Sequence, residues 1–92
     1  MTRRDVVVVN RLGMHARAAA KFVQLAGRFQ SKIVVGRQGR EMDGKSIMGL
    51  LLLAAGHGTT LSIAADGADE EDAVTALEEL VVGGFGEDAW NA

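Results

Sequence analysis

The order of apolar and polar positions predicts strands and helices that alternate along the chain. Short β-branched or alternating runs, with a hairpin turn between the second and third, predict four strands, over residues 5–9, 31–35, 40–42 and 60–65. Apolar residues at helical spacing predict three helices, over residues 16–26, 47–55 and 70–81. The predicted order of elements is therefore β-α-β-β-α-β-α.

This order favours the α+β class. Four short strands that cannot bury both of their faces predict an antiparallel sheet with three helices packed on one face. A chain of 92 residues is long enough for a single domain, residues 1–92, with one modest core. We expect the glycine-rich, acidic segment over about 84–92, which includes Glu87 and a lone Trp90, to be a loosely held tail.

Polar residues and a glycine mark the expected helix ends. Ser46 and Asp69 precede the second and third helices, where a side-chain oxygen can accept from an unpaired N–H group, so both are expected N-caps. Gly27 follows the first helix, and we expect it to end that helix in the left-handed conformation.

Composition and charge exclude several classes of function. The chain has no cysteine, which excludes a disulfide framework and a thiolate metal site and fits a cytoplasmic protein. The net charge of −2 gives no general attraction to nucleic acid. No apolar run reaches the roughly 20 residues of a membrane span, and the first apolar run is too short for a signal peptide. We expect no nucleic-acid partner, no membrane insertion and no bound metal.

The segment LGMHARAAAKF places His15 at a helix start and Arg17 in its first turn. The first N–H groups of a helix lack partners and favour anions, so the backbone of Ala16, Arg17 and Ala18 is a candidate phosphate site. An arginine grips phosphate oxygens, and a neutral histidine ring has a nucleophilic lone pair. This combination indicates reversible phosphorylation of His15, although the spacing alone also fits an ordinary surface or capping histidine. His57 has no supporting group beside it and is expected on the surface.

The second predicted helix has more apolar residues than one face can bury. Its sequence, IMGLLLLAA, is consistent with a helix buried on nearly all sides. Composition alone favours that interpretation, and the alternative is a division between residues that face the sheet and an exposed patch for partner proteins.

Two signatures, NRLGMHARAAAKFV and GREMDGKSIMG, occur in order and give the chain a resemblance to the HPr family. This family comprises the histidine-containing phosphocarrier proteins of the phosphoenolpyruvate-dependent sugar phosphotransferase system. The resemblance implies an open-faced sandwich with the order βαββαβα. It further implies that His15 accepts a phosphoryl group from enzyme I on Nδ1 and passes it to an enzyme IIA domain, with Arg17 as the phosphate clamp. Such a protein is a relay without a cofactor, not an autonomous enzyme.

The resemblance also implies where partners bind. The apolar patch around the histidine is the docking surface for enzyme I and enzyme IIA in this family, and a carrier that presents one face in turn is expected to be a monomer. On this chain the matching positions, with two first-helix residues on the His15 side, are Ala20, Gln24, Ile47, Met48 and Leu51.

Ser46 matches the serine that HPr kinase/phosphorylase phosphorylates in the KSIMG form of the family. A phosphate on an N-cap is compatible with the helix dipole, so the domain should stay folded. Nearly two negative charges beside the apolar patch would instead oppose the docking of acidic partners.

The chain departs from the family pattern at Ala18, where proline is usual. Alanine continues a helix well, so we expect altered phosphohistidine kinetics and not an inactive protein. The residues leave two alternatives open: a regulatory or nitrogen-pathway member of the family, and a non-covalent anion-binding module.

Overall fold

The structure is a computed structural model that describes residues 1–87. Its strands and helices follow the predicted order: β1 (Thr2–Val7), α1 (Ala16–Ala26), β2 (Lys32–Arg37), β3 (Arg40–Asp43), α2 (Ile47–Leu52), β4 (Thr60–Asp66) and α3 (Glu70–Val82). A short 3₁₀ turn, Gly84–Gly86, follows α3. The predicted α+β architecture is confirmed.

The four strands form one antiparallel sheet in the order β1-β4-β2-β3. Val6 pairs with Leu61, and Val35 pairs with Ile63, so β4 lies between the first two strands. Alternate strand residues are buried, which covers one face of the sheet and leaves the other open.

The core lies between the covered face of the sheet and the three helices. Its fully buried side chains include Phe22 from α1, Leu50 from α2 and Leu77 from α3. These residues fall on one side of each helix, so the apolar stripe of the sequence becomes the buried face. Within residues 1–87, no helix has both the length and the apolar character needed to cross a membrane.

Three expectations about helix ends need correction. Gly27 ends α1 with φ −65°, in the right-handed region, so the predicted left-handed end is wrong. Helix α2 ends at Leu52, and Ala54 beyond it takes the left-handed conformation at φ 52°. Asp69 stands at the N-cap position of α3, but its side chain makes no cap hydrogen bond. Its carboxylate instead accepts hydrogen bonds from the N–H of Gln30 and from the N–H and hydroxyl of Ser31.

Residues 84–87, which we expected in a loosely held tail, are packed against the domain. The side chain of Phe85 is fully buried, and its removal from water explains why the segment stays in place. The rest of the expected tail, including Trp90, lies outside the described residues.

Candidate functional site

His15 lies at the N-cap of α1, as the sequence predicts. Its backbone is extended, at φ −74° and ψ 177°, and its carbonyl oxygen accepts from the N–H of Ala19 at 2.8 Å. The side chain makes no cap hydrogen bond, so the ring is directed away from the helix backbone. The side chain is 26% exposed, which leaves the ring accessible from solvent.

The loop before His15 is fixed by contacts with the segment that follows α2. The N–H of Met14 donates to the carbonyl oxygen of Ala55 at 2.8 Å, and the Met14 side chain is buried. Gly13 has φ 65°, and a Cβ at this position would lie 2.5 Å from the same Ala55 oxygen. Only glycine satisfies both conditions, so the loop that carries His15 depends on it.

The residue in direct contact with the His15 ring is Glu87. Its Oε2 is within hydrogen-bond distance of His15 Nε2, and its Oε1 accepts from Asn10 Nδ2 at 3.0 Å. Asn10 is itself buried and also donates to the carbonyl oxygen of Gly13 at 2.8 Å. The carboxylate therefore joins the histidine to the loop that precedes it.

The charge of Glu87 is favoured although the side chain is only 8% exposed. Burial pushes the pKa of its carboxyl upward, but hydrogen bonds from His15 and Asn10, with the charges of His15 and Lys21, lower it by more. The pKa of Glu87 is therefore below its ordinary value, and the group is a carboxylate at neutral pH.

Glu87 is held by the C-terminal turn, which we define as Gly84–Glu87. Phe85 anchors this turn in the core and has φ 59°, a left-handed conformation that turns the chain back towards α1. Lys21 Nζ donates to the carbonyl oxygen of Phe85 at 2.7 Å, which ties the turn to the middle of α1.

Arg17 lies on the exposed side of α1 and shares a shallow cleft with the histidine. Within residues 1–87 its guanidinium has no hydrogen-bond or ion-pair partner. The first-turn N–H groups of Ala16, Arg17 and Ala18 also have no acceptor in a preceding turn. The cleft is lined by Leu12, His15, Ala16, Arg17, Lys21, Gly86 and Glu87. It combines two cationic side chains with a helix N-terminus, an arrangement suited to an anion.

The exposed apolar side chains of α2 decide between the two interpretations of that helix. Leu50 is fully buried, whereas Met48 is 67% exposed and Ile47 is 42% exposed. The helix is therefore not buried on all sides. Ala20 and Leu51 are half-buried and Gln24 is exposed, so the expected docking positions reach the surface to different extents.

Ser46 is the N-cap of α2, as predicted. Its Oγ accepts from the N–H of Gly49 at 3.0 Å, and its backbone oxygen accepts from Leu50. The neighbouring Lys45 Nζ donates to the carbonyl oxygen of Phe29 at 2.8 Å. The hydroxyl is half-buried at the start of the helix that has the exposed apolar residues.

Several residues of this region cannot be recognised from local sequence patterns. Glu87 falls in a segment that the sequence predicts to be a tail, and no pattern indicates Asn10 or Lys21, although all three contribute contacts around the histidine. The one sequence signal was Phe85, an aromatic residue among glycines after α3. Exposed Leu12 and Leu52 extend the apolar surface beyond the expected positions. Among residues 1–87, no group of histidine and acidic side chains is arranged to hold a metal ion.

Comparisons with known proteins agree on one family. The family model described as "PTS HPr component phosphorylation site" matches residues 2–82. The phosphocarrier protein HPr of Cupriavidus necator is 51% identical over 87 residues, which cover 95% of this chain and 98% of the relative.

Solved structures give the same result for the fold. A crystal structure of HPr from Thermoanaerobacter tengcongensis has a TM-score of 0.92 at 40% identity, covering 96% of this chain and 99% of that one. A crystal structure of an HPr dimer from the same organism has a TM-score of 0.76 at 40% identity, covering 95% and 100%.

Proposed function

The chain belongs to the HPr family of phosphocarrier proteins, and on that premise we propose that His15 is the residue on which it carries the phosphoryl group. The chain is a phosphocarrier of the phosphoenolpyruvate-dependent phosphotransferase system. The observation that supports His15 is its position, with an accessible ring at the N-terminus of α1 beside an arginine that has no partner among residues 1–87. His57 lies in an exposed loop between α2 and β4, and the element that follows it is a strand, not a helix.

Arg17 is the clamp for the incoming phosphoryl group. Its guanidinium is available, since it has no partner within residues 1–87, and it can form two parallel hydrogen bonds to phosphate oxygens. The N–H groups of Ala16, Arg17 and Ala18 add the positive end of the helix dipole. The N–H of Ala18, which a proline would lack, is one more donor on this side.

The docking surface consists of the five positions that the resemblance indicates: Ala20, Gln24, Ile47, Met48 and Leu51. We define it by these residues and include Leu52, whose side chain is also exposed. An adaptable methionine, Met48, that is 67% exposed suits a surface that must bind enzyme I and then an enzyme IIA domain. We take the carrier to act as a monomer, because a dimer through this surface would block both partners. Light scattering on the purified chain tests this, and a dimer that hides α2 would contradict it.

Ser46 is a regulatory site for HPr kinase/phosphorylase in this proposal. Phosphorylation would place its charge at the start of α2, next to Ile47 and Met48. Ser46→Asp, which keeps an N-cap oxygen, should weaken binding to enzyme I at low salt more than Ser46→Ala does. Equal binding of both variants at low and high salt would contradict the electrostatic block.

The chain works in the cytoplasm in this proposal. It has no cysteine, which suits a reducing compartment, and its donor system uses phosphoenolpyruvate. Cell fractionation with an antibody against the chain tests the location, and recovery outside the cytoplasmic fraction would contradict it.

The experiment that tests the carrier function is phosphorylation with phosphoenolpyruvate, Mg²⁺ and enzyme I, read by intact mass at neutral and acid pH. The wild-type chain and His57→Ala should gain one phosphate that acid removes, and His15→Ala should gain none. If His15→Ala still gains a phosphate, a residue other than His15 is the acceptor. No phosphate on folded wild type, with enzyme I active on another carrier, would favour a non-covalent anion-binding module.

A further inference from the structure

We propose that Glu87 is a positioning residue for phosphoryl transfer, which holds the proton of His15 on Nε2 and leaves the lone pair on Nδ1 for the phosphoryl group. This inference rests on the proposed role of His15 as acceptor. It begins from the contact between Glu87 Oε2 and His15 Nε2.

The contact selects one form of the neutral ring. A carboxylate only accepts hydrogen bonds, and the shift of the Glu87 pKa below its ordinary value keeps it ionised at neutral pH. The nitrogen that faces it must therefore be the donor, so His15 has its proton on Nε2. Nδ1, on the other side of the ring, is then the nucleophilic nitrogen.

The position of the carboxylate is built into the fold. Its second oxygen accepts from Asn10, which is 1% exposed and fixed by its bond to the Gly13 carbonyl oxygen. Phe85, two residues earlier, is fully buried, and Lys21 binds its carbonyl oxygen. Three separate contacts thus hold Glu87 beside the ring, and the exposed fraction of its side chain is only 8%.

The arrangement has a defined role in the transfer step. The Nδ1 lone pair forms the N–P bond while the bond from phosphorus to the donor breaks and its electron pair leaves with the donor. The ring keeps its Nε2 proton and becomes cationic, and Glu87 compensates that charge through the hydrogen bond already present. When the phosphoryl group moves on, the N–P electron pair returns to Nδ1, so no proton has to be moved in either direction.

The test compares Glu87→Ala and Glu87→Gln with Glu79→Gln, which changes an exposed glutamate on α3. Glu87→Ala should lower the maximal rate of phosphoryl uptake from phospho-enzyme I about tenfold, the loss of one charge-assisted hydrogen bond. The half-saturating concentration should stay unchanged because the docking surface is intact. Glu87→Gln retains an acceptor for the Nε2 proton but has no charge. Its maximal rate should therefore lie between those of wild type and Glu87→Ala.

A second readout is independent of the transfer rate. ¹⁵N NMR of the ring in mildly alkaline buffer should show Nε2–H as the dominant neutral form in wild type, in Glu79→Gln and in Glu87→Gln. In Glu87→Ala the proportion of Nδ1–H should rise towards that of an unconstrained histidine side chain.

Three outcomes would overturn the proposal. A Glu87→Ala variant with the wild-type rate and ring form would show that the contact is incidental. A faster variant would make Glu87 an autoinhibitory group, and a changed half-saturating concentration alone would place it in docking. In each case wild type still gains phosphate and His15→Ala does not, so the carrier function stands independently of this result.

Discussion

The N–H of Met14 donates a 2.8 Å hydrogen bond to the carbonyl oxygen of Ala55, which joins the loop before His15 to the segment after α2. The proposed phosphoryl site and the segment that follows α2 are therefore joined directly.

Gly13→Ala tests this connection. The new Cβ would lie 2.5 Å from the Ala55 oxygen, and alanine disfavours φ 65°, so we expect the free energy of unfolding to fall by about 1–3 kcal/mol. Phosphoryl uptake should fall as well, since the loop must move. Gly56→Ala is the matched control, because its Cβ would meet nothing within 4 Å. Urea unfolding measures the first effect, and equal stability of the two variants would refute the close approach.

Phe85→Ala tests whether the C-terminal turn is part of the core. Truncation of a fully buried phenylalanine should lower the free energy of unfolding by about 3 kcal/mol or more. Val82→Ala, at a side chain that is 58% exposed, should change it by less than about 0.5 kcal/mol. Thermal unfolding measures both variants. A decrease in the free energy of unfolding of less than about 1 kcal/mol for Phe85→Ala would mean that the C-terminal turn contributes little to the stability of the core.

Asp69→Asn tests the link between the start of α3 and the segment before β2. Hydrogen bonds from the Ser31 side chain, then from the Gln30 N–H, lower the pKa of Asp69, so its folded-state pKa lies below the unfolded value of about 4. The contribution of ionised Asp69 to the free energy of unfolding is therefore complete above the pKa of the unfolded state. It disappears as the pH falls through the pKa of the folded state. Asp69→Asn should have a lower melting temperature than wild type at pH 7, and this difference in melting temperature should become smaller below about pH 4.

The control for that variant is Asp72→Asn, an exposed residue in the first turn of α3. It should change the melting temperature little at pH 7. If the difference in melting temperature between Asp69→Asn and wild type stays constant from pH 7 to pH 2, the negative charge of Asp69 is not what the Ser31 and Gln30 donors stabilise.

Arg17→Ala tests the clamp. Loss of a charge-assisted contact to the phosphoryl group should slow uptake by about 10- to 100-fold, and Arg17→Lys should recover part of it because a lysine binds as a point charge. Arg40→Ala, at an exposed position on β3, provides the control. Initial rates with phospho-enzyme I measure the effect, and an Arg17→Ala variant as fast as Arg40→Ala would assign the clamp to other groups.

Local patterns predicted the elements well where the physical cause was local. Helix α1 has the predicted bounds because the residues that give its apolar spacing and its N-cap all lie in one short segment of the sequence. Helix α2 ends before its prediction because the carbonyl oxygens of Leu53 and Ala54 accept from Arg37, a residue of β2 that no local pattern connects to them.

The site was only half predictable for the same reason. His15 and Arg17 share one turn, so their chemistry is evident from the sequence. Glu87 contacts His15 across 72 positions, and its place depends on the burial of Phe85 and on the Lys21 bond to the turn. Nothing in an acidic, glycine-rich segment distinguishes a carboxylate held beside a ring from one in solvent.

The position of β4 in the sheet has a consequence for biosynthesis. Strands β1 and β2 do not pair with each other. Both pair with β4, which is Thr60–Asp66. Closing these long loops delays the nucleus of folding until that segment is available. A nascent chain that ends before Thr60 has two helices and a hairpin with uncovered apolar faces, and its histidine lacks the C-terminal turn. The proposed phosphoryl site is therefore complete only after both β4 and the C-terminal turn have been synthesised.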